Sequence, residues 1–223
     1  EKNCHTNPGD IAPPSKFNEL ITIHENEESE IIRRDLGLVK KFKTRYHVQH
    51  LSSKKSVELI KEAKENNLPV TAEVTPHHLL RSNLDINTND GSLKMYPPLR
   101  SEEDRQALIE GLKGGIIDVI ATDHAPHPSV TKEVSFKESA RGVVGLESAF
   151  VALFSSNIFT LDELIYFMSK NPQNILKSLG YDTSNTLANT WIETDSVFST
   201  KSFFKNSAFE NLEVKIKKEF SNV

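Results

Sequence analysis

From Ser29 to Lys41 the apolar residues Ile31, Ile32, Leu36 and Val39 recur near helical spacing and end in a basic turn, which predicts a helix. Tyr46 to His50 (Tyr-His-Val-Gln-His) reads as a short strand. Ser53 can cap a following helix whose buried stripe is Val57, Ile60 and Ala63, and Asn66-Asn67 stops it. Val70 to Val74 is a second strand. Ser101-Glu102-Glu103-Asp104 is a capping box that opens a helix through Leu108 and Leu112, ending at Gly114-Gly115. Ile116 to Thr122 is an apolar run of strand length.

Strand and helix alternating with short joints is the pattern of parallel βαβ units. The runs Val-Thr-Ala-Glu-Val and Asp-Val-Ile-Ala-Thr are mostly apolar or β-branched, as strands covered on both faces should be. Each strand also runs into a histidine-bearing segment: His50-Leu51-Ser52, Pro76-His77-His78, and Asp123-His124-Ala125-Pro126-His127. Chemistry repeated at the same strand end points to one shared mouth, as at the carboxyl ends of a (β/α)8 barrel. A doubly wound sheet gathers ligands there too, so periodicity leaves both folds open. Beyond Asp123 a polar loop is expected to Ser139, then Gly142-Val-Val-Gly145 and a helix through Phe150 and Phe154. Thr160 is placed to cap a helix from Leu161 to Met168. From about Thr190 the stretches Trp191-Ile192, Val197-Phe198 and Leu212 to Ile216 read as strands of a small separate sheet.

Composition narrows the function classes. The 223 residues carry a formal charge of −4, with no clustered basic excess of the kind that nucleic acid selects. No apolar run approaches the roughly 20 residues that span a bilayer, and no targeting segment stands at the start. A single cysteine, Cys4, excludes an internal disulfide and fits a reducing, cytoplasmic setting. The chain opens on Glu1, and its only methionines are Met95 and Met168. We therefore expect its natural start to lie upstream, with proteolytic processing as the alternative.

Among eight histidines, position sorts the candidates. His47 and His50 lie three apart on an alternating strand and diverge, so His50 at the strand end is the candidate metal ligand and His47 is read as packing. His77 and His78 are adjacent and are read as structural anchors. A carboxylate at the end of an apolar strand is costly unless it is paired or binds a cation, which makes Asp123 a candidate ligand and proton shuttle. His127, past Pro126, could face a substrate. Tyr96-Pro97-Pro98-Leu99-Arg100 is a rigid loop whose guanidinium suits a substrate carboxylate or a surface ion pair.

The segments His47 to Ser52, Val70 to Leu79, Pro97 to Arg100, Ala121 to His127 and Gly142 to Glu147 together resemble the long bacterial form of dihydroorotase. The resemblance runs from about Glu28 to Phe209, ending in Ser199-Thr-Lys-Ser and Asn206-Ser-Ala-Phe209. It implies an α/β fold that is part of a (β/α)8 TIM-type amidohydrolase barrel, strands six to eight, with a small carboxyl-terminal β segment. On this reading residues 1–27 are an irregular loop, 28–185 the last part of the barrel and 186–223 a piece of the flanking β domain. It also implies two zinc ions and the reversible cyclisation of carbamoyl-aspartate to dihydroorotate in pyrimidine synthesis. His50 then resembles the sixth-strand histidine that binds the second zinc. Asp123 resembles the eighth-strand aspartate that binds the first zinc and exchanges a proton with the attacking hydroxide. His127 resembles the histidine that contacts substrate, and Arg141 and Gly142 fall where the family's loop touches substrate through its backbone. Tyr96, also among the expected substrate-binding residues, stands where the family usually has a substrate-binding asparagine, a departure from its pattern.

Other expected elements are absent. The family's first-strand His-x-His pair does not occur, and the register places His24 in the loop before the first helix rather than on a strand. The fragment is therefore expected to bind zinc weakly and to lack turnover by itself. Its expected partners are the small-molecule substrate and the amino-terminal part of the barrel, with a homo-oligomer or aspartate transcarbamoylase as possible associates, and neither nucleic acid nor membrane. A hydantoinase- or allantoinase-type cyclic amidohydrolase, or a non-catalytic scaffold for aspartate transcarbamoylase, are the alternatives.

Overall fold

The computed structural model describes residues 27–183 and two short strands at 197–199 and 213–215. His5, His24 and Trp191-Ile192 lie outside the described residues.

Helix α1 (Glu27–Phe42) leads into strand β1 (Tyr46–Val48). Helix α2 (Lys54–Glu65) crosses from β1 to β2 (Val70–Val74), and α4 (Glu102–Lys113) crosses from β2 to β3 (Val119–Ile120). The three strands form one parallel sheet in the order β1-β2-β3. Capping follows the expected chemistry. The Ser53 hydroxyl accepts from Ser56 N, and Ser101 with Asp104 forms a reciprocal capping box.

One face of the sheet is closed by helices. Val48, Val70, Ala72, Val74 and Ile120 pack with Val57, Ile60 and Ala63 of α2 and with Leu108 and Leu112 of α4. The two helices approach so closely that a Cβ on Gly111 would sit 2.9 Å from Val57 Cγ1, which accounts for a glycine inside α4. On α1 the buried stripe is Ile32 and Val39 with Leu36 packed against them, whereas Ile31, expected in that stripe, faces outward.

The third strand is shorter than the run from Ile116 to Thr122 predicts. Ile116 N and Ile117 N both return to Gly111 O, at 2.8 and 3.0 Å, and so belong to the close of α4. At its other end Asp123 turns into the left-handed region (φ 46°) and stops the ladder.

Short elements complete the described region. Helix α3 (Pro76–Leu80) follows β2 directly, capped by Thr75, and α5 (Ser129–Lys132) is a single turn. Helix α6 (Ala149–Ser155) precedes α7 (Leu161–Ile165), which is capped by Thr160. A wider π-type turn over Tyr166–Lys170 joins α7 to α8 (Asn171–Ser178), so the expected helix ends early and changes pitch. The strands β4 (Val197–Ser199) and β5 (Glu213–Lys215) pair antiparallel. No helix among the described residues is long and apolar enough to cross a membrane.

The stretch expected to be a polar loop after Asp123 is partly buried. Phe136 and Val143 form a small second core with Ile86, Met95 and Leu99. Lys132 is buried beside it, its Nζ donating to Lys94 O and Ala140 O at 3.0 Å each. Burial, with the nearby Lys94 charge, lowers that amine to about 8.

Candidate functional site

Parallel strands bring three sequence-distant termini to one rim. His50 follows the first strand and Asp123 the third, and both residues have left-handed backbone, with φ of 36° and 46°. The other non-glycine residues in that region, Lys43, Asn67 and Asn157, sit just after α1, α2 and α6, where helices ordinarily end this way. His50 and Asp123 instead follow strands, so among the described residues the left-handed non-glycine backbone at the rim falls on the two candidate ligands.

The Asp123 carboxyl is raised above its usual value. Partial burial is the main cause. The His50 charge opposes it, and the Glu73 charge adds to it. His50, Glu73 and Asp123 thus share one electrostatic neighbourhood. Glu73 also accepts from His50 N at 3.4 Å through Oε1, and its Oε2 lies 3.0 Å from His47 Nε2.

His47 is not packed into the core as expected. Its register partner is Thr71, and its ring is partly exposed on the sheet face away from the helices. There Nδ1 lies 2.7 Å from Thr71 Oγ1. Since a carboxylate only accepts, Nε2 carries the proton toward Glu73 and Nδ1 accepts from the threonine when the ring is neutral. His47, Thr71, Glu73, Val119 and Ala121 line a cavity of about 800 Å³ on this face, opposite Ile175 and Leu179 of the α8 region.

Of the adjacent histidines, His78 behaves as an anchor. His78 Nε2 lies 3.0 Å from Pro97 O and so donates to it, while Nδ1 lies 2.7 Å from Thr75 Oγ1 and accepts. Burial drives this ring down to about 4. His77 is buried against it, ring centroids 4.6 Å apart, and is lowered well below the ordinary histidine value by burial and by the His78 and His50 charges.

Arg100 does not lie in a surface ion pair. It is buried, donating from Nε to Ser52 Oγ at 2.7 Å, with Nη2 3.7 Å from Glu28 Oε2. Glu28 in turn accepts from Ser52 N at 3.1 Å, from Ser53 N at 3.3 Å and from the Ser52 hydroxyl. Glu28 and Glu73 were missed as site-building residues. The alternation Val-Thr-Ala-Glu-Val could have flagged Glu73, because it puts a carboxylate on the face opposite three apolar residues.

The remaining candidates cluster beside the rim. Tyr96 lines a cavity of about 300 Å³ with His50, Glu28 and Arg100 at the edge of β1. The Arg141 guanidinium carbon lies 5.6 Å from the Tyr96 ring centroid, a cation–π distance. Gly142 (φ 121°) backs onto His127: a Cβ there would sit 3.0 Å from His127 Nε2 and 2.7 Å from Ala125 O, so only glycine fits. The 142–147 loop is tied to the third strand's end by Ala125 N to Val143 O at 2.9 Å and by His124 Nδ1, which accepts from Gly145 N and Leu146 N.

His50 and Asp123 supply an imidazole and a carboxylate, both donor types that zinc takes. Among the described residues no group of three or more His, Cys, Asp or Glu is placed to hold a metal ion. The donors among the described residues therefore fit part of a metal site and not a whole one.

Residues 15–181 match the amidohydrolase family model. The chain is 50% identical to the dihydroorotase of Ligilactobacillus salivarius over 65% of its own length and 35% of the relative's. It is 40% identical to that of Ehrlichia canis over 96% of its own length and 49% of the relative's. The chain thus spans between about a third and a half of these relatives. The L-hydantoinase of Arthrobacter aurescens superposes with a TM-score of 0.73 at 29% identity, covering 83% of this chain and 45% of the hydantoinase. A D-hydantoinase from Thermus matches the fold at 20% identity with a TM-score of 0.71, over 86% of this chain and 46% of that one.

Proposed function

Because the chain belongs to the amidohydrolase family, we propose that it is the carboxyl-terminal part of a metal-dependent dihydroorotase, reversibly converting carbamoyl-aspartate to dihydroorotate. Its three parallel strands are then strands six to eight of a (β/α)8 barrel, and β4 and β5 belong to a small flanking β domain. The amino-terminal part of the barrel supplies the other metal ligands from outside these residues. The observation that carries the reading is that His50 and Asp123, both left-handed, follow β1 and β3 at the same end of one parallel sheet, with the His50 charge acting on the Asp123 carboxyl. The dihydroorotase relatives, at 40 to 50% identity, favour this substrate over the hydantoins of the structural neighbours.

His50 and Asp123 hold part of a two-zinc site. Zinc, when bound, polarises the scissile carbonyl and makes water a nucleophile near neutral pH. Asp123 accepts the nucleophile's proton at its carboxylate and returns it to the departing ring nitrogen, a role that a partly buried carboxyl suits. Arg141, Gly142, His127 and Tyr96 line the side of the mouth where substrate is oriented.

The test is to assay the chain joined to the preceding barrel residues with dihydroorotate, allantoin and hydantoin in parallel. Dihydroorotate should turn over, and Asp123→Asn should lower kcat by roughly 10²- to 10⁴-fold. The 223 residues alone should show weak zinc binding and no turnover. Preference for hydantoin or allantoin would move the assignment to those enzymes, and no turnover of any of the three by the completed barrel would sink it.

A further inference from the structure

We propose that Glu28 and Glu73 are positioning residues that hold His50 in its left-handed conformation, their carboxylates taking the amides of His50, Ser52 and Ser53 while the Glu73 main-chain carbonyl takes that of Leu51. The proposal rests on the reading of His50 as a metal ligand, and it concerns how that ligand is aimed.

A histidine that ends a strand has no intrinsic reason to adopt a φ of 36°. Glycine visits this region freely and asparagine, aspartate and histidine more often than other residues, but a strand end does not by itself select it, so neighbouring structure must. Every backbone N–H in the turn has an assigned acceptor. His50 N donates to Glu73 Oε1 at 3.4 Å, and Leu51 N to the Glu73 carbonyl at 2.9 Å. Ser52 N and Ser53 N both donate to Glu28 Oε1, at 3.1 and 3.3 Å. Two glutamates, one opening α1 and one on the middle strand, thus close around a single turn. Hydrogen bonds to an ionised carboxylate are stronger than neutral ones, which suits holding a strained segment.

Each carboxylate is itself braced. Glu28 receives the Ser52 hydroxyl, and Arg100 donates to that same hydroxyl while its Nη2 approaches Glu28. Glu73 is held by His47, whose other nitrogen is engaged by Thr71. The brace therefore spans α1, β1, β2 and the loop carrying Tyr96, all of which converge on His50. This accounts for the burial of Arg100. Neither glutamate needs to touch a reacting atom. Their work is to set the direction of the imidazole before metal arrives, as the groups behind a metal-bound histidine commonly do.

The test uses the isotope-labelled 223-residue chain as wild type, Glu28→Ala, Glu28→Gln and Glu73→Gln, with Glu103→Ala on an exposed helix face as the control. Amide exchange at residues 50–53 and the backbone HN–Hα coupling of His50 are read by NMR. Glu28→Ala should speed exchange at Ser52 and Ser53 by roughly 10- to 100-fold relative to Ala72 and Val74, the range for losing a charged acceptor. The His50 coupling should move from its left-handed value toward that of extended backbone. Glu28→Gln, which keeps one acceptor oxygen, should restore part of both. Glu73→Gln should act mainly at His50. If Glu28→Ala does not fold, the two glutamine variants decide. An unchanged His50 coupling and unchanged local exchange overturn the proposal, as does a rise in exchange spread evenly over the core. Zinc failing to reach His50 in the completed barrel would instead defeat the ligand assignment and leave the clamp standing.

Discussion

The two faces of the three-stranded sheet are built on different terms. Toward the helices, Val48, Val70, Ala72, Val74 and Ile120 interlock with α2 and α4 in a closed hydrocarbon core. Away from them, His47, Thr71 and Glu73 satisfy one another through hydrogen bonds beside a cavity of about 800 Å³. The first face gains stability from burial, which is non-directional and needs only apolar residues of suitable size. The second is held by directional bonds between polar groups, and the rim chemistry lies along it. Stability and chemistry are thus assigned to opposite sides of the same strands.

The largest expected effect tests that division directly. Leu112→Ala, at a fully buried helix position, should cost roughly 2–5 kcal/mol in denaturant unfolding. Thr71→Val, which removes the bond to His47 on the other face, should cost no more than about 1 kcal/mol. Comparable losses would break the comparison.

Acidification should reach the rim through its buried histidines. His78 has a folded pKa of about 4, below the unfolded value near 6.5. The unfolded chain therefore binds more protons between those values. The stabilising contribution is whole above about pH 6.5 and is lost as pH falls toward 4, amounting to on the order of 3 kcal/mol. His77 acts in the same direction. Unfolding followed from pH 7 to pH 4 should show this slope, and replacing both rings with glutamine should flatten it.

The smallest effect is local. Lys94 O accepts both Gly142 N at 2.9 Å and Lys132 Nζ at 3.0 Å. Lys132→Met should loosen this junction and speed exchange of the Gly142 amide by about tenfold, with little change at the β2 amides. Uniform acceleration would place the second core on the same cooperative unit as the first.

Local signals were easiest to read. The caps at Ser53, Ser101 and Thr160 depend on residues within one helical turn, and all three form. Parallel pairing and the common rim followed from helices separating short apolar strands. Arg100 was legible as a fixed guanidinium but not as a buried one, because its acceptor Ser52 and the carboxylate of Glu28 lie far away in the chain. His47 was misjudged because strict alternation from His50 fails once His50 leaves the strand conformation. The last strand was overdrawn because Ile116 and Ile117 are apolar for packing yet close a helix.

Sequence alone determined the alternation of the three strands with α1, α2 and α4, the caps that open the helices at Ser53, Ser101 and Thr160, and which end of each strand carries polar chemistry, since these depend on spacing and nearest neighbours. Tertiary structure decided which carboxylate meets which amide, that His50 and Asp123 bend out of their strands, and that Arg100 and Lys132 are buried. Those outcomes are contacts between distant segments, and desolvation and backbone strain arise only when the segments meet.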